Sequence, residues 1–267
     1  MKKLRSKVTV FILFSLLTLS NSYGARVLFD EGHRQAFTIE KKGRLDLSTF
    51  SQIIIDAGNQ VHATKHPFTK GIFSEVDALI ISGPFKSFLP LEITEIKRFV
   101  QSGGKLVVLI HISPTVGDLL AAFDIKVSNY IVNEHEQLLD NKSSSFVVSR
   151  LSEHALFTDI SHFNLYGGWA LKAVNHAMVP IASTSSNAWL DINKNKQRDS
   201  QDHQLTADLI IHGAFGHGEI LIFADDAIFQ NRFIINNNKK MAKNLAKWLR
   251  QDSFYNIVKP RPIQSTE

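Results

Sequence analysis

Two runs with a helix-forming segment between them decide the fold: Val76, Asp77, Ala78, Leu79, Ile80, Ile81, Ser82, Gly83, Pro84 and, further on, Gly103, Gly104, Lys105, Leu106, Val107, Val108, Leu109, Ile110, His111. Each holds a short, unbroken apolar stretch bounded by glycine or proline, the pattern of a strand buried on both faces. Between them, Leu91 to Gln101 places Ile93, Ile96, Phe99 and Val100 on one side of a helix that Gly103 and Gly104 stop. A strand, a helix and a second strand in this order predict a parallel sheet covered by helices.

The grammar extends in both directions. Upstream, Arg26 to Asp30 reads as the first strand, Asp46 to Ala57 as a helix carrying Leu47, Phe50 and Ile54 and capped by Gly58, and Val61 to Ala63 as the second strand. Downstream, Asp118 to Phe123 reads as a short helix, Lys126 to Val132 as extended chain and Asn141 to Ser145 as an exposed polar loop. Strands are expected at Phe146 to Ser149, Met178 to Ser183, Ala207 to His212 and Glu219 to Ala224, with an amphipathic helix from Asn237 to Leu249. The fold class predicted is α/β: an open, mostly parallel, flavodoxin-like sheet flanked by helices, in one domain over 25–252 with a flexible tail at 253–267.

The chain opens with Lys2, Lys3, Arg5 and Lys7 and passes into an apolar run from Val8 to Leu19. That run is shorter than the ~20 residues needed to span a bilayer. Ser22 and Gly24 are the small residues of a cleavage site before Ala25, so residues 1–24 read as a signal peptide. The expected location is periplasmic or secreted, with no transmembrane anchor after cleavage. Loss of the leader takes four of the 30 Lys and Arg and leaves 26 against 25 Asp and Glu, so the basic pI gives no support to nucleic-acid binding. With no cysteine in the chain, an apolar core rather than disulfides must hold the exported domain together.

Several of these segments together carry a resemblance: Val27 to His33; Ala78 to Pro84; the helix that ends at Gly103 and Gly104; and Gly216 to Asp226 followed by Phe229 and Asn231. They resemble the class I glutamine-amidotransferase-like fold, and within it the non-catalytic branch of gliding-motility and intraflagellar-transport proteins and of exported bacterial proteins of unknown function. The resemblance implies assembly or accessory work beside an envelope or transport complex. Enzymes of this fold place a nucleophilic cysteine on a turn after a central strand. Here that strand runs into His111, Ile112, Ser113 and Pro114, which implies a pseudoenzyme.

Three further constellations can carry chemistry. Asp30, Glu31 and His33 follow the first strand, and Ser82 and His111 end later ones, where loops of a parallel sheet line a ligand crevice. They are the candidate ligand-binding set, for a small ligand such as a carbohydrate or for a protein partner; the alternative for the carboxylates is helix capping or pairing with arginine. Asp191, Asn193, Asn195, Gln197, Asp199 and Asp202 have the spacing of a loop that wraps Ca2+, with the Gln197 carbonyl at position 7. Lys196 stands where glycine normally permits the turn, and a solvated polar hairpin is the other reading. Tyr166, Gly167, Gly168 and Trp169 could present two aromatics to a ligand or pack inside. The leading functional reading is a non-enzymatic binding or assembly domain; the rival is a metal-dependent or acid/base hydrolase of carbohydrate or peptide bonds using Asp30, Glu31 and His33.

Overall fold

The computed structural model describes residues 24–250; the leader and its cleavage site, apart from Gly24 and Ala25, and the 253–267 tail lie outside the described residues. The first half contains β1 (Arg26–Asp30), α1 (Ser48–Asp56), β2 (Gln60–Thr64), β3 (Ala78–Ser82), α2 (Pro90–Gln101), β4 (Lys105–Leu109) and α3 (Ser113–Ala121). The second half is strand-rich: β5 (Ile125–Asn133), β6 (Leu138–Leu139), β7 (Lys142–Val148), β8 (Arg150–Leu151), β9 (Phe163–Tyr166), β10 (Trp169–Ala173) and β11 (Met178–Ser183). It continues through β12 (Trp189–Leu190), β13 (His203–Gln204), β14 (Asp208–Phe215) and β15 (Gly218–Phe223) to a closing helix, α4 (Asn236–Arg250).

The main sheet runs β13-β12-β5-β10-β14-β15-β4-β3-β1-β2, with β11 pairing β14 and β8, and β6-β7-β9 form a small second sheet. Only the neighbouring pairs within β2, β1, β3, β4 and β15 are parallel; every pairing from β14 outward is antiparallel. The expectation of a mostly parallel flavodoxin-like sheet is therefore corrected to a mixed sheet. The cause is connectivity: a parallel pair needs a long crossover, usually a helix, whereas the chain from Ile125 to Phe223 contains no α-helix and returns by turns. Of the polar 141–145 segment, expected as a loop, only Asn141 stays in an exposed turn; Lys142 to Ser145 belong to β7, and the serines sit half-buried.

The core is one buried cluster from Ala25 to Leu249. Every residue of β3 and β4 is buried, as strands covered on both faces require. The paired glycines before β4 stop α2 at Gly103, whose φ is +111°, and clear the Phe99 ring at Gly104, where a Cβ would lie 2.3 Å from it. Helix α4 buries Met241, Ala242, Leu245, Ala246, Trp248 and Leu249 and exposes its lysines. The strand order reverses between β1 and β3, and the carboxyl ends of β1, β3, β4 and β15 share one edge, so the loops after these strands meet there.

Candidate functional site

At that edge two histidines take up different positions. Asp30, the last residue of β1, turns its carboxylate onto His33, with both oxygens 2.9 Å from Nδ1. Asp30 also accepts from the Gly32 amide at 3.0 Å and from Gln35 Nε2 at 2.5 Å. On the other side of the ring, His33 Nε2 meets Glu92 Oε1 at 3.2 Å. Glu92 stands in the first turn of α2 and accepts from the amides of Leu89 and Phe68, while Phe88 and Phe68 flank the imidazole at 4.0 and 5.3 Å. Burial works against the charged ring, but Asp30 and then Glu92 outweigh it and the His33 pKa is raised. Burial also works against the Glu92 carboxylate, yet the two amides and His33 hold it below the usual range.

His111, two residues past β4, is the open counterpart. Its Nδ1 lies 3.0 Å from Oδ1 of Asp226, a buried residue after β15. Asp226 in turn accepts from Gln230 Nε2 at 3.4 Å and donates its amide to the Ile110 carbonyl at 3.0 Å. The bond to Asp226 raises the His111 pKa against the opposing effect of burial. Burial holds the Asp226 carboxyl above its usual range, against the opposing pull of His111 and Gln230. Asp225 beside it is pushed up to about 7 by burial and by Asp226. Gly83, with φ of +56°, leaves room for this pair: a Cβ there would fall 2.7 Å from Asp226 Oδ2 and 3.2 Å from the His111 Cβ. Phe37 and Phe85 lie 5.4 and 5.1 Å from the His111 ring.

The structure thus brings Asp30 and His33 together and places His111 separately. Glu31 accepts from the Ile39 amide at 3.0 Å and braces its own loop, and Ser82 is buried at the end of β3. Glu92, Asp225, Asp226 and Gln230 were missed in the sequence reading. The adjacent aspartates directly after an apolar strand were the available signal for two of them. Both aromatics of the Tyr166 to Trp169 segment are half-buried and partnered within the fold: the Tyr166 amide donates to Asp225 at 2.7 Å, Trp169 Nε1 donates to the His111 carbonyl at 3.1 Å, and Tyr166 stacks on Phe233. Ser113 is fully buried, 3.4 Å from Asn129 Oδ1, and no hydroxyl among the described residues bonds to His111.

In the 191–202 loop, Asp191 accepts from the amides of Asn195 and Lys196, Asp199 from Gln201, Asn193 and Asn195, and Asp202 from Ile192 and Asp199. The Gln197 amide donates to Asn195 at 2.8 Å. Lys196 takes φ of +63°, the conformation for which a wrapping loop normally uses glycine. Among the described residues no group of three or more His, Asp or Glu side chains is arranged to hold a metal ion.

A mixed α/β sheet with helices on its parallel half, a polar edge and no thiol defines a class of domain, not one enzyme. The chain belongs to the family described as domain of unknown function DUF4350, whose profile matches residues 41–246. Among solved structures it is similar to the mmIFT52 N-terminal domain, at 18% identity over 84% of this chain and 97% of that one, with a TM-score of 0.67. Cytoplasmic protein STM1381 of Salmonella typhimurium LT2 is similar at 13% identity over 85% and 100%, with a TM-score of 0.55. A putative ThuA-like protein of Parabacteroides merdae ATCC 43184 follows at 11% identity over 90% and 94%, TM-score 0.50. At these identities the likeness is one of fold. Comparison with curated protein sequences gives no match.

Proposed function

We propose that the chain is an exported, non-enzymatic binding domain of amidotransferase-like fold, accessory to an envelope or transport complex, which receives its ligand or partner at the carboxyl edge of the sheet around His111. One observation carries the reading: His111 is held by a buried carboxylate at the carboxyl edge of the sheet, with one ring nitrogen unbonded and no hydroxyl or thiol hydrogen-bonded to it among the described residues. An oriented, half-exposed imidazole of raised pKa is a hydrogen-bond donor for recognition. Export rests on the composition of the leader alone. The likeness to the mmIFT52 N-terminal domain supports the fold, and accessory work beside an envelope or transport complex is part of the proposal.

The rival hydrolase needs a ring nitrogen free to move a proton. His33 has both of its nitrogens bonded to carboxylates, so that reading passes to His111, whose carboxylate support is of the kind a general base uses. Assays of the purified protein on glycoside, ester and peptide substrates are expected to show no turnover. Turnover lost by about 10²- to 10⁴-fold in His111→Gln would overturn the binding reading. Calcium binding by Asp191, Asn193, Asn195, the Gln197 carbonyl, Asp199 and Asp202 belongs to the same proposal, as an ion that steadies an exposed loop.

A further inference from the structure

We propose that the occupant of this edge is a carboxylate-rich peptide segment of a partner protein, an inference that rests on the binding reading above. Six exposed cations stand on three loops of the edge: Arg34, Lys41, Lys42 and Arg44 between β1 and α1, Lys86 between β3 and α2, and Arg232 after β15. The loops form one surface. The amides of Phe85 and Lys86 both donate to the His33 carbonyl at 3.0 Å, the Arg232 amide donates to the Arg44 carbonyl at 2.7 Å, and Phe37 and Phe85 bracket the His111 ring.

None of the six makes an ion pair among the described residues. The exposed carboxylate interspersed with them is Glu40; Glu31 is half-buried and bonded to the Ile39 amide. The chain past the leader is close to neutral, with 26 basic against 25 acidic side chains, and on these three loops six exposed cations stand against one exposed carboxylate, which gives them a field that attracts anions. The geometry points to a peptide. Cations spread over three loops exceed what a single phosphate can engage, and the exposed apolar groups on these loops and at the start of α2 include Leu45 at 41%, Phe85 at 40%, Leu89 at 54%, Leu91 at 79% and Ile235 at 49%. All of these but Phe85 are aliphatic and give a sugar ring no face to stack on, whereas they suit the apolar side chains interspersed in a peptide.

The test is fluorescence anisotropy with a labelled peptide of glutamates interrupted by phenylalanines. Saturable binding is expected, weakened about tenfold or more between about 50 and 500 mM salt. The triple variant Lys41→Glu, Lys42→Glu, Arg44→Glu should lose about tenfold or more, while the same charge change on α4, Lys239→Glu, Lys240→Glu, Lys243→Glu, should stay within about twofold. Melting curves establish that both variants are folded. No saturable binding, equal loss in the two triple variants, or tighter binding of a heparin-type sulfated oligosaccharide overturns the peptide as occupant. The two failures separate cleanly: absent peptide binding in a protein without turnover sinks this inference alone, whereas His111-dependent turnover sinks the reading beneath it.

Discussion

His33 and His111 sit on loops of one sheet edge, and each rests its Nδ1 on a buried aspartate at about the same distance. They differ in what meets the other nitrogen. For His33 it is Glu92, inside an apolar cage that leaves the side chain 2% exposed; for His111 no partner meets it among the described residues, and 34% of the side chain is open. The same chemical pair therefore serves as an internal tie in one case, joining β1, the loop before β3 and α2, and as a presented group in the other. A histidine and an aspartate near a strand end do not by themselves make a site; the second nitrogen decides.

Breaking the closed pair should have the largest effect. Asp30→Ala leaves His33 and Gln35 without their carboxylate in a buried place, a change that costs about 3 to 5 kcal/mol and lowers the melting temperature by roughly 10 °C. His111→Gln keeps a donor for Asp226 at a half-open position and should cost less than about 1 kcal/mol. Thermal melts of the two variants measure the contrast, and equal losses would dissolve the distinction between tie and presented group.

The parallel half of the molecule was legible because its strands are continuous apolar runs punctuated by glycine, and α1, α2 and α4 carry clear helical stripes. Helix α3 starts at Ser113, five residues before the expected Asp118, although Pro114 in its first turn was a usable start signal. The short strands β6, β8, β12 and β13 are only two residues long, too brief for alternation to register. The site was half legible. Asp30 and His33 are three apart in the chain, but the Glu92 that closes their triad is 59 residues away and Asp226 is 115 from His111, distances that only the assembled sheet bridges.

Titration sharpens the contrast, because a third histidine has the opposite sign. His154, whose ring lies 4.7 Å from that of His212, is pushed down to about 4 by burial and by His212, and its Nδ1 accepts the Leu156 amide at 3.1 Å. Its unfolded state binds the proton first, so the stability it supports is lost as pH falls from about 6.5 toward 4. His33, raised in the fold, contributes stability that is complete below about 6.5 and lost as pH rises through its folded value. His154→Asn keeps an acceptor for Leu156 and removes the titration. Its melting temperature should gain on wild type by several degrees between pH 7 and about 4.5, whereas the gap between wild type and Asp30→Ala should narrow toward pH 9. Because Asp225 titrates in the acid window with the reverse sign, the difference between variants, not the wild-type curve, is the decisive quantity. Parallel curves for His154→Asn and wild type would remove His154 from this account.

The smallest effect concerns the 191–202 loop, which sets a largely exposed polar cluster against the buried ones. Its carboxylates are occupied by amides of the loop itself, and Lys194 and Lys196, with φ of +61° and +63°, carry strain that a bound ion would offset. If Ca2+ binds with the millimolar affinity of extracellular sites, a tenfold excess over Kd stabilises the fold by about 1.4 kcal/mol, or about 3 °C in melting temperature. Asp191→Ala with Asp199→Ala should abolish that shift; magnesium, which resists losing its water shell, should give less of it. Identical melts in millimolar calcium and in chelator would leave the loop as a hydrogen-bonded hairpin. The contrast would then hold in a stricter form: the carboxylates of this loop are satisfied by amides of the loop itself, whereas buried Asp226 holds a half-open His111 whose second nitrogen meets no partner among the described residues.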